Sequence, residues 1–102
     1  MDGPLTIEVT EKDGRCVIVL RGELDISSAE RFDRLLADLD VEGDIVADLS
    51  GLDFMDSTGI RFLLRMNQQV LGAGHVLRIV PGGPAVQRVF ELAGIQDRLP
   101  PA

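Results

Sequence analysis

The sequence predicts an α/β fold: a mixed, mostly parallel sheet of four to five strands packed with helices, in the order β-β-α-β-α-β-α. Two observations lead there. Short β-type runs alternate with stretches that repeat apolar residues at helical spacing, and that alternation calls for crossover helices joining parallel strands. The first two β-type runs are separated only by turn residues, which puts one antiparallel hairpin in front of the parallel part. A chain of 102 residues, 45% of them hydrophobic, suits one compact domain over 1–102, with a core from about residue 5 to 94.

Each element has its own signature. "LTIEVT" sets Leu5, Ile7 and Val9 on one face and Thr6, Glu8 and Thr10 on the other, the period of a half-buried strand. "EKDG" supplies a turn, and "RCVIVLR" reads as a second strand, apolar on both faces. In "SSAERFDRLLADL", Ser27 and Glu30 have the spacing of a capping box, and Ala29, Phe32, Leu35, Leu36 and Leu39 form a helical stripe. "DIVADLS" is a short strand with Ile45, Ala47 and Leu49 on one face. After it, Ile60, Leu63, Leu64 and Leu71 recur at helical spacing until "GAG" stops the helix. "HVLRIV" is the next strand. Pro84 then opens a helix with Val86, Val89, Phe90 and Ala93 as its buried stripe and Gly94 as its stop. The tail "QDRLPPA" is expected to fray after at most a short strand or turn.

Composition excludes several function classes. A net charge of −7 lacks the footprint that neutralises phosphates, so no nucleic-acid or anionic-membrane partner is expected, and a basic protein surface suits it better. Trp and Tyr are absent, which removes a base-stacking platform. No stretch approaches the ~20 apolar residues of a membrane span. The segment "MDGPLTIEVTEKDG" lacks the features of a signal peptide. With Cys16 as the single cysteine, read as a buried core thiol in a reducing compartment, a cytoplasmic protein is expected.

The enzyme templates are missing as well. There is no dinucleotide or Walker-type glycine loop, and His75 is the single histidine, so no cofactor and no multi-imidazole metal site are expected. His75 starts a strand after a glycine-rich turn and reads as a surface or edge residue. An aspartyl-phosphate receiver needs a lysine late in the chain, and the one lysine is Lys12. Two acidic sites remain, both at strand ends, where open α/β sheets bind their ligands. Asp25 closes "RGELD", and Asp56-Ser57-Thr58 interrupts the apolar run "FMDSTGIRFLL". From the residues alone, Asp25 is either a turn residue or a site. Asp56, Ser57 and Thr58 are either an N-cap or a site, and caps are the commoner case. Gly59 either admits a partner's backbone or simply fits the first helical turn. Arg61 either pairs with an acidic partner group or is solvated.

"RGELD" followed by a helix, and then "IVADLSGLDFMDSTGIRFLL", resemble the STAS-domain family, in particular the bacterial anti-sigma factor antagonists, or anti-anti-sigma factors. The likeness runs from about Leu5 to Gly94, nearly the whole chain. It implies a STAS-like single domain. It also implies that the serine of the D-S-[ST]-G motif, here Ser57, is a phosphoacceptor, and that the aspartate of G-E-L-D, here Asp25, belongs to the kinase-facing surface. The expected partner-binding set is Asp25, Asp56, Ser57, Thr58, Gly59 and Arg61.

The resemblance further implies a transcription regulator that works by partner switching. Unphosphorylated, it binds an anti-sigma factor that is itself a serine kinase, and the sigma factor is released. Phosphorylation of Ser57 switches binding off, and a phosphatase resets it. No enzyme activity of its own is expected, and the chain is expected to be a monomer or a weak homodimer. The alternative is a non-catalytic STAS interaction module within a larger signalling or stress complex.

Overall fold

An Asp-Gly turn sets the first pairing. In the computed structural model, which describes residues 4–102, Asp13 and Gly14 both adopt positive φ, 54° and 76°. That is the geometry of a two-residue hairpin turn whose twist matches the flanking strands. It joins β1 (Thr6–Lys12) to β2 (Arg15–Leu24) in antiparallel register, Lys12 opposite Arg15 and Thr6 opposite Arg21. The first three residues of the expected 1–102 domain lie outside the described part.

Among the described residues the chain continues through α1 (Ala29–Asp38), β3 (Ile45–Met55), α2 (Ser57–Gly72), β4 (Leu77–Val80) and α3 (Pro84–Ala93). The sheet order is β1-β2-β3-β4, with β2, β3 and β4 parallel. Both crossovers step the same way across the sheet. With the same right hand, they put α1 and α2 on the same face. The burial pattern agrees. Ile18, Leu20, Ile45, Ala47, Leu49, Leu77 and Ile79 point into one core cluster with Phe32, Leu63, Met66, Val70, Val86 and Phe90 from the helices. Val17, Val19, Val46 and Val80, on the opposite face, are only half-buried. The "RCVIVLR" strand is therefore apolar on both faces, as expected, but packed by helices on one.

Four details depart from the sequence expectation. The helix after β2 is not entered through a Ser27–Glu30 capping box. A 3₁₀ turn, Ile26–Ser28, comes first, and the box is formed by Asp25 and Ser28. Strand β3 runs on through "GLDFM" to Met55, because two register shifts against β2, next to Gly22 at φ 92°, let the pairing resume after each interruption. In α2 the buried face is Ile60, Phe62, Leu63, Met66 and Val70, while Leu71 is exposed; in α3, Ala93 is exposed.

The tail is the fourth. It does not fray: Leu99 is buried, the Ile79 amide donates to Pro100 O at 2.9 Å, and the Ala102 amide donates to Ile79 O at 2.8 Å. Side chains also lock elements together. Phe32 and Phe62 stack with centroids 4.8 Å apart. The Gln69 side-chain amide donates to Leu36 O at 2.9 Å, satisfying a carbonyl that the end of α1 leaves open. No helix among the described residues is long and apolar enough to cross a membrane.

Candidate functional site

Strands β2 and β3 end together. Leu24 pairs with Met55, so Asp25 and Asp56 follow at the same edge of the sheet, and the Asp56 amide donates to Leu24 O at 3.4 Å. The two loops expected to carry the site thus lie side by side at the carboxyl end of the parallel strands.

Asp56 is the N-cap of α2. Its backbone is extended, and its Oδ1 accepts from the Thr58 amide at 2.8 Å and the Gly59 amide at 3.4 Å. The carboxylate therefore occupies backbone donors that a helix start leaves free, and complements the positive end of the dipole. Ser57, the first residue of α2, is exposed, and its hydroxyl makes no hydrogen bond to any described residue. Thr58 is half-buried. It lines a groove of about 220 Å³ together with Ile26, Ala29, Arg61, Phe62 and Arg65.

Asp25 caps the neighbouring 3₁₀ turn. Its Oδ1 accepts from both the Ser27 amide, at 2.9 Å, and the Ser27 hydroxyl. That hydroxyl, helped by the amide, holds the Asp25 carboxyl below the ordinary carboxylate range, and partial desolvation opposes it more weakly. Ser28, buried below, donates its hydroxyl to Glu23 O at 2.8 Å.

Of the six residues expected at a partner surface, the structure brings Asp25, Asp56, Ser57, Thr58 and Arg61 to this end of the sheet. Gly59 is the correction. It is buried, and a Cβ there would sit 3.1 Å from Leu24 O and 3.1 Å from Leu24 Cγ, and would collide with Met55 Cγ. The close approach that needs a glycine is between α2 and the end of β2, inside the molecule. Sequence reasoning missed Ile26, which is 70% exposed beside Asp25 on the groove rim. An isoleucine directly after a strand-closing aspartate, off the helical stripe, was the available signal.

The site holds no imidazole. His75 lies with Asp44 at the opposite end of the sheet, Nδ1 to Oδ1 3.7 Å, about the length of β3 away, or roughly 30 Å. Cys16 is also at that far end, and burial, with the Glu11 carboxylate opposite it, pushes its thiol up. No group of metal-ligating side chains is found among the described residues.

A profile of the STAS domain matches residues 6–101. The anti-sigma-B factor antagonist of Staphylococcus aureus is 27% identical over 95 residues, which cover 91% of this chain and 88% of that protein. The crystal structure of an anti-sigma factor antagonist from Mycobacterium paratuberculosis superposes with a TM-score of 0.80 at 27% identity, covering 98% of this chain and 88% of the other. The unphosphorylated form of the anti-sigma factor antagonist SpoIIAA shares the fold, with a TM-score of 0.73 at 22% identity over 97% of this chain and 88% of its own. Motifs, sheet order and these likenesses agree: the chain belongs to the STAS-domain family of anti-sigma factor antagonists.

Proposed function

We propose that this chain is a non-catalytic binding switch, which in its unphosphorylated form engages an anti-sigma factor that is also a serine kinase and so frees a sigma factor. The contact surface is the pair of strand-end loops with the groove beside them: Asp25, Ile26, Asp56, Ser57, Thr58 and Arg61. Gly59 supports that surface from within. The observation that carries the reading is the Ser57 hydroxyl, exposed and unpartnered on the first turn of α2 beside a cap that already uses the Thr58 and Gly59 amides.

A serine hydroxyl without a base is suited to receiving a group from a partner's active site. In that step Ser57 Oγ forms the new bond to the γ-phosphorus of ATP. The bond to the β–γ bridging oxygen breaks, ADP leaves with its electron pair, and the serine proton goes to a base of the kinase. A phosphatase reverses the state by hydrolysis, returning the hydroxyl and inorganic phosphate.

The phosphate adds about −1.5 to −2 charge beside Asp56 and near Asp25. A helix start tolerates an anion, typically by ~0.3–1 kcal/mol, so the fold survives. The Thr58 and Gly59 amides are already engaged by Asp56, which limits what the helix start offers the phosphate. Like-charge juxtaposition across an interface costs several kcal/mol, which outweighs the small local gain. Binding is lost and the domain is kept.

The test is a pull-down from native lysate with and without ATP, followed by phosphosite mapping. A kinase partner released by ATP, with phosphate on Ser57, is the expected result. Ser57→Ala should bind and accept no phosphate, and Ser57→Glu should lose binding. Phosphorylation of Ser57→Ala as readily as wild type would falsify the assignment.

A further inference from the structure

We propose that Arg61 captures the phosphoryl group of phosphorylated Ser57, so that modification removes a cation from the contact surface at the same moment as it adds an anion. This rests on the phosphorylation of Ser57 proposed above and specifies how that site is regulated.

The two residues are one helical turn apart, the first and fifth of α2, a spacing that brings their Cβ atoms to about 5–6 Å. Long side chains on a helix lean back over the preceding turn, which for Arg61 is the turn that Ser57 opens. Arg61 also shares a groove wall with Thr58. Both Ser57 and Arg61 are exposed, and Arg61 has no ion pair or hydrogen bond to any described residue. Arg65, one turn further on, is engaged: its Nη1 lies 2.6 Å from Asp33 Oδ1.

The surroundings make the capture worthwhile for the phosphate. Asp56 adjoins it in sequence, Asp25 stands across the paired strand ends, and Asp33 is occupied by Arg65. The Thr58 and Gly59 amides already bond the Asp56 carboxylate. Among the described residues of α2, Arg61 is thus the open cation within one turn of Ser57. A guanidinium fits a phosphate in a two-pronged, charge-assisted pair, and a glutamate at position 57 offers fewer acceptor oxygens and a single charge. In the unphosphorylated state the same guanidinium is free to meet a carboxylate of the partner.

The experiment uses the full chain with phosphoserine installed at position 57 during synthesis, so no kinase is required. The second phosphate ionisation is followed by phosphorus NMR across pH. In the wild-type chain it should fall below that of Arg61→Gln by roughly 0.3–0.7 pH unit, a gap that narrows as salt is added. Arg61→Lys should lie between the two, and Arg65→Gln should titrate like wild type. A difference for Arg61→Gln within about 0.1 unit, or an equal shift from Arg65→Gln, overturns the capture. Failure of a cognate kinase to modify Ser57 would sink the proposed function and leave this measurement standing. The reverse result, a modified Ser57 with an unmoved titration, removes the capture alone.

Discussion

Two aspartate-capped entrances stand side by side at the carboxyl end of the sheet, and they treat their hydroxyls in opposite ways. At "DISS", Asp25 accepts from the amide and the hydroxyl of Ser27, two residues on. At "DSTG", the equivalent carboxylate accepts only backbone amides, from Thr58 and Gly59, and the neighbouring Ser57 hydroxyl is left over. Position alone does not decide it: Ser27 and Thr58 both stand two residues past their cap, and only the Ser27 hydroxyl reaches the carboxylate, while Ser57 stands one residue past its cap. A free hydroxyl is available at one entrance because the cap there is complete without it. The third residue past each cap is buried in both cases: Ser28 with a hydrogen bond to Glu23 O, Gly59 with no side chain at all.

That last difference is the easiest to break. Gly59→Ala should destabilise the domain by about 1–3 kcal/mol, since the added methyl meets the backbone carbonyl of Leu24 as well as side chains, and a carbonyl in a paired strand cannot swing away. The gain in helix propensity, at most about 1 kcal/mol, does not offset this. Urea denaturation followed by circular dichroism reads it directly. A midpoint at or above wild type would mean that the entrance relaxes freely, and the close-packing account would fail.

Next in size is the cap. Asp56→Ala should cost about 1 kcal/mol, within the 0.5–2 range of lost caps, while Asp56→Asn should stay within a few tenths of wild type because the amide oxygen still accepts. Equal losses for the two would point to the charge rather than the hydrogen bonds.

Much of this was legible in the sequence. The Asp13-Gly14 turn, the Ile45-Ala47-Leu49 face and the Pro84 and Gly94 helix bounds need only local chemistry, and they stand as read. The misses have physical causes. Ser27–Glu30 and Asp25–Ser28 both fit the spacing of a capping box, and only the fold, by placing Ser28 under Glu23 O, selects the second. Leu71 looks like core by residue type, but Met66 and Val70 hold the inner face. The tail "QDRLPPA" carries no periodicity that announces its docking, and its prolines have no amide hydrogen to donate. The edge pairing uses Pro100 only as an acceptor and takes its donor from Ala102. For Gly59 the sequence leaves a partner's approach and a first-turn fit equally open, and only the pairing of Leu24 with Met55 reveals what it touches.

The two hydroxyls themselves give a smaller contrast. Ser28→Ala removes the buried hydroxyl that donates to Glu23 O and should cost about 1 kcal/mol. Ser57→Ala removes a hydroxyl with no partner and should stay within about 0.5 kcal/mol of wild type. Thermal midpoints of the two variants measured together separate them. A Ser57→Ala loss as large as that of Ser28→Ala would show that Ser57 is structural.

The smallest expected effect separates the two caps by pH. Asp25 is held below the ordinary carboxylate value by the Ser27 hydroxyl, so its ionised form is favoured in the folded state. The sign follows from that: the stabilisation is complete above the unfolded value of about 3.9 and disappears as pH falls through the lower, folded one. Asp25→Asn keeps an acceptor oxygen for the Ser27 donors but has no proton to take up at that position. Wild type should therefore exceed Asp25→Asn in thermal midpoint at neutral pH, and the gap should close as pH falls below about 4. Asp25 is only half-buried, so the gap will be small, and the informative quantity is its pH dependence. A gap that holds constant as pH falls well below about 4 would mean that the Ser27 hydroxyl does not distinguish carboxylate from carboxylic acid. The contrast between the two entrances would then reduce to where their hydroxyls point.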